Sequence, residues 1–267
     1  MIPYPRISPY LFKLGPFEVR WYGLMYVLGF ITSYLLFSYQ AKRGKGKTAG
    51  FTQKLVEDFY FWLVVALVLG ARIGYVIFYN PLYYLQNPLK VFAVWQGGMS
   101  FHGGLIGVVL AGIIFCRKHK LDFWRTADLF VPTAPPGLGF GRIGNFINGE
   151  LFGRPSNVPW AMVFPQGGNV PRHPSQIYEF LLEGVLLFTI LWILKDRVKT
   201  KGLMLAIFLI LYGLFRFTVE FFRQPDPQLG FIWGPFTMGQ ILSSGMMLLG
   251  VILAVWRVMA VRKEAAA

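Results

Sequence analysis

The sequence predicts an all-α polytopic membrane protein with seven transmembrane helices, and three observations carry that expectation. Hydrophobic residues fill 55% of the 267 positions and charged ones only 14%, too few polar side chains to clothe a soluble domain of this size. Several apolar runs approach the ~20 residues that a bilayer crossing requires. Lysine and arginine crowd alternate connecting segments, as they do in cytoplasmic loops. Backbone in lipid must bond to itself, which leaves helices or a closed barrel. The alternating strands of about ten residues that mark a barrel do not occur here.

The spans follow in order. Trp21–Tyr39 is uncharged, and Phe59–Tyr79 is interrupted only by Arg72. Met99–Cys116 comes third, and Thr126–Gly141 is a weaker fourth because Asp128, Pro132, Pro135 and Pro136 fall in or beside it. Ile177–Leu194, Gly202–Phe222 and Pro235–Trp256 complete the set. Met1–Arg20 holds four prolines, with Glu18 and Arg20 where a signal's apolar stretch would lie, so the first span is expected to be retained. The inner segments carry 16 of the 26 basic residues, from Lys42, Arg43 and Lys45 through Lys118 and Lys199 to Lys263, against eight in the alternate ones. This pattern predicts an outside N-terminus and a cytoplasmic C-terminus, with the chemistry on the face away from the basic loops. A formal net charge of +14 is thus topological and excludes a nucleic-acid role. One membrane domain, 1–267, is expected, with an outer head at 146–175 between spans four and five, and a short β-hairpin where the weakly alternating Val158–Phe164 is followed by Gly167-Gly168. The single cysteine, Cys116, leaves no internal disulfide and is expected to be a small buried hydrophobe.

An ionisable side chain inside a span costs at least a few kcal/mol, so each demands a reason. Arg72, His102, Arg142, Glu179, Glu183, Arg216 and Glu220 are the candidates. For Arg72 and Glu183 a packing ion pair or a snorkelling side chain serves as well as a functional role. Tyr212, Arg216, Glu220 and Arg223 fall on one helical face, a polar ridge that suits a cavity rather than lipid.

The densest cluster is Gly137-Leu-Gly-Phe-Gly-Arg-Ile-Gly-Asn-Phe-Ile-Asn-Gly-Glu-Leu-Phe-Gly-Arg. Its Gly139-Phe-Gly141-Arg-Ile-Gly144 matches GxGxxG, but prolines precede it where a dinucleotide site needs a strand. Tight helix packing through small residues explains the glycines. It leaves Arg142, Asn145, Asn148 and Glu150 unexplained, and these suit an anion: glycines admit it, and an arginine fork grips phosphate oxygens. His102 opens the third span beside Gly103-Gly104, where something must approach the helix end closely. His173 is expected to cap the head before the fifth span. GxSxG, HExxH, Walker A and DDxxD-type signatures are absent, which removes the common hydrolase, zinc-protease, NTPase and prenyl-transferase readings.

Gly141-Arg-Ile-Gly-Asn-Phe-Ile-Asn-Gly-Glu-Leu-Phe-Gly153 resembles the signature of the bacterial prolipoprotein diacylglyceryl transferase family. His102-Gly-Gly, Arg172-His-Pro-Ser-Gln-Ile-Tyr-Glu179 and Arg216-Phe-Thr-Val-Glu-Phe-Phe-Arg-Gln-Pro-Asp226 are similar to that family's other blocks, in the same order. The resemblance implies a seven-helix enzyme of the bacterial inner membrane, with a periplasmic head and its active site near the periplasmic face. It implies two partners besides the bilayer, phosphatidylglycerol and a prolipoprotein signal peptide carrying a lipobox cysteine. The diacylglyceryl group would pass to that thiol, releasing glycerol phosphate. Arg142 and Arg216 would hold the phosphate and His102 would take the thiol proton. Tyr26, Asn145, Asn148, Glu150, Gly153, Tyr212 and Glu220 would line the substrate site. No metal or other cofactor is implied, since arginine can supply the charge stabilisation. A transporter or flippase for an anionic lipid would use the same arginines, but the inverted repeats usual in transporters are absent. A purely structural membrane protein leaves the outer polar cluster without a purpose.

Reporter fusions after Lys47, Lys120 and Lys199 should read cytoplasmic, and those after Asn87, Asn157 and Gln228 periplasmic. A periplasmic signal at Lys120 would overturn the order of spans.

Overall fold

Prolines and glycines, more than hydropathy, decide where the helices of this chain start, break and touch. A computed structural model describes residues 2–5, 7–15, 17–225 and 230–266, with the side chains of Phe17, Lys45, Gln96 and 263–266 excepted. Asp226 and the reporter position Gln228 lie outside the described residues, as do the side chains of Lys45 and Lys263.

Strands β1 (Tyr10–Leu14) and β2 (Phe17–Arg20) form an antiparallel hairpin that runs straight into helix α1 (Trp21–Ala41). After the short α2 (Gly44–Thr48) come α3 (Gln53–Phe78), α4 (Pro81–Gln86) and α5 (Phe101–Lys118). Then follow α6 (Phe123–Phe130), α7 (Pro135–Asn148), α8 (Ser175–Glu179), α9 (Leu187–Leu194) and α10 (Leu203–Val219). Strands β3 (Phe231–Trp233) and β4 (Phe236–Thr237) make a second small hairpin before α11 (Met238–Ala266). A π-helical turn, Phe180–Leu186, joins α8 to α9, so Ser175–Leu194 is one helical rod. Among the described residues, five helices are long and apolar enough to cross a membrane: Trp21–Ala41, Gln53–Phe78, Phe101–Lys118, Ser175–Leu194 and Met238–Arg262. The chain is a mostly helical, multi-pass membrane protein. Leu203–Val219 is a shorter apolar helix.

The segment Thr126–Gly141 is not the single helix expected. Pro132, Pro135 and Pro136 each lack an N–H, so the helical ladder cannot run through them. α6 ends at Phe130, a 3₁₀ turn spans Val131–Thr133, and α7 restarts with Pro135 in its first turn, where the missing donor costs nothing. Ser33 of α1 meets Thr133 at 2.9 Å, and the Thr133 hydroxyl donates back to the Phe130 carbonyl at 2.6 Å. Asp128 also has a definite task. Its carboxylate accepts from the N–H groups of Gly202 (2.7 Å) and Leu205 (3.1 Å), satisfying donors that α10 leaves open at its start.

The chain divides into two compact units, Met1–Phe37 with Ala127–Ala267, and Ser38–Thr126. In the first, Val131, Leu187, Leu191 and Met204 form a buried cluster flanked by Phe208, Leu211 and Phe215. α1 crosses α7 with backbone nearly in contact: a Cβ on Gly29 would lie 3.0 Å from Gly137 Cα. The hairpin expected where Val158–Phe164 precedes Gly167-Gly168 is reduced to a single bridged pair. Met162 and Arg172 exchange one antiparallel pair of backbone bonds, 2.9 and 2.8 Å, around the Gly167-Gly168 turn.

In the second unit α3 and α5 pack through glycines. A Cβ on Gly103 would stand 2.3 Å from the Gly70 carbonyl oxygen and 2.9 Å from Gly74 Cα. What approaches the start of α5 so closely is therefore the backbone of α3. Phe59 and Phe115 continue the contact with ring centroids 5.2 Å apart, and Cys116 is buried, outside any disulfide. Arg72, 4% exposed, is not a snorkelling side chain, and among the described residues it forms no ion pair. Its guanidinium donates to the carbonyls of Lys90 (2.6 Å), Val91 (2.7 Å), Gly97 (2.6 Å) and Gly98 (3.0 Å).

One side chain thus fastens the whole Lys90–Gly98 loop to α3. A lysine ammonium cannot span four carbonyls. Arg72→Lys should leave the helices folded yet speed tryptic cleavage after Lys90 by about tenfold, which is ~1.4 kcal/mol of lost local protection. An unchanged cleavage rate would show that the loop is held by other means.

Candidate functional site

Five of the seven ionisable side chains that hydropathy makes conspicuous converge within the first unit, while Arg72 and His102 lie in the second. Glu179 and Glu183 lie on the rod Ser175–Leu194, on either side of the start of its π turn, and both are fully buried. Arg142 reaches them from α7, with Nε 3.2 Å from Glu179 and Nη2 3.2 Å from Glu183. Arg216 reaches them from α10, with Nη1 on Glu179 and 3.8 Å from Glu183. Its Nη2 lies 2.8 Å from Glu220, one turn on. Arg223 closes the cluster, 4.0 Å from Glu179 and 3.7 Å from Glu220. Three arginines face three glutamates, so the cluster is formally neutral and offers an anion directed N–H donors rather than excess positive charge. Among the described residues, no protein acceptor takes the Arg142 Nη1 hydrogens, and that side chain keeps 20% of its surface exposed.

The close approach of α7 to the rod has a local cause. A Cβ on Gly184 would sit 2.8 Å from Gly139 Cα, one turn from Arg142, so both glycines are sterically required. The π turn widens the rod where this contact forms, as such turns do at many functional sites. Glu220 is seated similarly: Thr237 donates to it at 3.0 Å, and its carboxyl carbon would be 2.7 Å from a Cβ on Gly239.

A second constellation forms where α7 ends. Asn145 and Asn148 are three residues apart and share a face, while Gly149 at φ 67° turns the chain back on itself. Both amides then donate to one Glu150 carboxylate oxygen, at 2.9 and 3.1 Å. Leu151 follows at φ 57°, a strained conformation for a branched side chain. Two fully buried side chains hold it there: Gln176 donates to the Glu150 carbonyl at 2.6 Å, and Ser175 to that of Leu151 at 3.0 Å. Tyr4 caps the same helix end, donating to the Phe146 carbonyl at 2.6 Å.

The remaining expected site residues are distributed as follows. Tyr26 is half exposed and pairs with the Tyr22 hydroxyl at 3.1 Å. Tyr212 stacks on Phe208, one turn before Arg216. Gly153 is enclosed by backbone, because a Cβ there would meet the carbonyl oxygens of His173 and Phe222, each at 2.6 Å. Tyr212, Arg216, Glu220 and Arg223 do not share one helix, since α10 ends at Val219. His102 belongs to the other unit and is the exposed second residue of α5, with Ser100 capping that helix at 3.2 Å. His173 lies before α8, 3.0 Å from the Tyr178 hydroxyl, and its burial holds the imidazole below the usual histidine range. Glu179 and Glu183 stood among the candidates without a site role, and Gln176 was not singled out. Their spacing is the signal that could have supplied them: three polar residues three and four apart in an apolar run. Nothing in the sequence marks Tyr4.

Gly184→Ala should lower stability by about 1–3 kcal/mol, the usual cost of forcing packed backbones apart. Gly141→Ala, which meets nothing within 4 Å, should be neutral or stabilising. Thermal midpoints in detergent compare the two. Equal midpoints would refute the contact.

The family model for prolipoprotein diacylglyceryl transferase matches residues 9–256. Phosphatidylglycerol--prolipoprotein diacylglyceryl transferase of Geobacter sulfurreducens is 55% identical over 253 residues, covering 94% of this chain and 96% of that protein. The enzymes of that name from Desulfotalea psychrophila and Pseudomonas paraeruginosa are 53% and 49% identical. The former covers 95% of this chain and 94% of itself, the latter 100% and 98%. With matches of this length and strength, the chain belongs to the prolipoprotein diacylglyceryl transferase family.

Proposed function

We propose that the chain transfers the diacylglyceryl group of phosphatidylglycerol to the lipobox cysteine thiol of a prolipoprotein, the first step of lipoprotein maturation. Family membership over nearly the whole chain is the observation that carries this reading. In the reaction the substrate sulfur attacks the glycerol carbon that bears the phosphate ester. The S–C bond forms, the C–O bond breaks, and glycerol phosphate leaves. The phosphate gains charge as it departs, so donors aimed at its oxygens stabilise the transition state more than the ground state.

Arg142 and Arg216 are the proposed phosphate donors. The free Nη1 of Arg142 supports this, because it can bind an oxygen without breaking either glutamate contact. Tyr26, Asn145, Asn148, Glu150, Gly153, Tyr212 and Glu220 are proposed to line the site. His102 is proposed as the base for the thiol, which is mostly protonated at neutral pH with an ordinary pKa of about 8.5. The proposed setting is the bacterial inner membrane. There the single domain crosses seven times from a periplasmic N-terminus to a cytoplasmic C-terminus, with residues 146–175 as a periplasmic head.

The assay follows acyl-labelled phosphatidylglycerol onto a lipobox peptide, and unlabelled peptide would sink the proposal. Arg142→Lys should be severely impaired, because a point charge cannot replace the fork. His102→Gln should keep lipid binding while turnover falls about 10²–10⁴-fold, the usual share of general base catalysis. Raising the pH should partly restore it, as the thiol then ionises unaided. Full turnover in His102→Gln at pH 7 would leave His102 a helix-end residue.

A further inference from the structure

We propose that Glu179 is a positioning residue for this transfer, setting the spacing of the two phosphate-binding arginines; the inference rests on the function proposed above. Arg142 and Arg216 come from different helices, α7 and α10, and carry like charges. One carboxylate joins them. Glu179 Oε2 faces Arg142 Nε at 3.2 Å, while Oε1 receives Arg216 Nη1. Oε1 accepts a hydrogen bond from Arg216, whereas Oε2 meets Arg142 by charge contact alone, and the rigid carboxylate sets the distance between the two guanidiniums.

Glu183 is the natural comparison. It is as fully buried, carries the same charge and faces the same two arginines. Its grip is one-sided, however: Oε2 lies 3.2 Å from Arg142, and Oε1 only within 3.8 Å of Arg216. Charge neutralisation alone would make the two glutamates interchangeable, whereas a bridge makes them unequal. Glu179 is also the better anchored. It precedes the π turn, on the helical turn whose Ser175 and Gln176 hold the backbone of Glu150 and Leu151. The same turn thus orients the arginine pair through Glu179 and the asparagine–glutamate constellation through Gln176. Neither glutamate needs to touch the substrate for this.

Glu179→Gln and Glu183→Gln are compared in detergent with acyl-labelled phosphatidylglycerol and a lipobox peptide, with rates normalised to monodisperse protein. Glutamine keeps the side-chain shape but turns one oxygen into a donor, which then faces an arginine N–H. With Glu179→Gln, kcat should fall about 10²-fold, the usual cost of a misplacement near 1 Å, while KM for phosphatidylglycerol changes less than about threefold. Glu183→Gln should lose less than about tenfold in kcat. Equal losses in the two variants, or a loss confined to KM, would overturn the bridge and leave charge balance as the role of both. If Glu179→Gln yields no monodisperse protein, Glu179→Asp decides. It keeps the charge but is too short to reach both arginines, so wild-type kcat there also overturns the proposal. A wild-type chain that moves no label overturns the function reading itself, whereas wild-type transfer with an unimpaired Glu179→Gln overturns only the bridge.

Discussion

Two arginines from separate helices share one fully buried carboxylate, and most of the first unit can be understood as what that arrangement requires. A charge placed in an apolar bundle is tolerable only with its partner at contact distance, and the partner needs partners of its own. Glu179 and Glu183 meet Arg142 only because α7 lies against the rod at Gly139 and Gly184, where any side chain would hold the backbones apart. Glu220 meets Arg216 because the junction of β4 and α11 offers a threonine hydroxyl and a glycine to receive it. The glycines and the charges are thus one design. The first set the distances, and the second exploit them.

The chain handles buried arginine in two ways, and the contrast separates scaffold from site. Arg72 spends its fork on four backbone carbonyls, fixed dipoles that carry no net charge and that a loop can supply wherever it bends. That bonding holds a loop in place and leaves little for a ligand. Arg142 and Arg216 bind carboxylates, which neutralise them without surrounding them, so a donor on Arg142 stays available. The head arginines resemble Arg72: Arg154 donates to the Arg223 and Glu220 carbonyls, and Arg172 to those of Gly167 and Gly153. Basic residues near a proposed anion site are therefore not equivalent to one another.

Much of this was legible in the sequence where a residue type has a single physical meaning. Long apolar runs became helices close to their expected bounds, and the prolines of Thr126–Gly141 marked it as irregular. Arg142, Arg216 and Glu220 stood out because ionised groups in apolar helices are rare. Partnership was less legible. A lone sequence cannot say that Glu179 pairs with Arg142, because the pairing depends on a helix crossing set by Gly139 and Gly184, forty-five positions apart. Nor could it tell that Gly103 serves α3, or that Gly153 is walled in by carbonyls, because glycine reports closeness without saying to what. The hairpin β1–β2 was not anticipated, because four prolines punctuate Met1–Arg20. The weak alternation of Val158–Phe164 pointed to a strand, where tertiary contacts permit only one bridged pair.

Asp128 carries a consequence for how the protein is made. A polypeptide enters the bilayer in the order it is synthesised, and a short segment bearing an ionised side chain and three prolines partitions poorly into lipid by itself. The N–H groups that satisfy Asp128 belong to Gly202 and Leu205, 74 and 77 residues further on. Until the ribosome has delivered them, that carboxylate lacks both of these bonds. The segment is thus completed late, when α10 arrives, although it is translated early. Assembly of the arginine cluster waits on the same event, because α10 also brings Arg216.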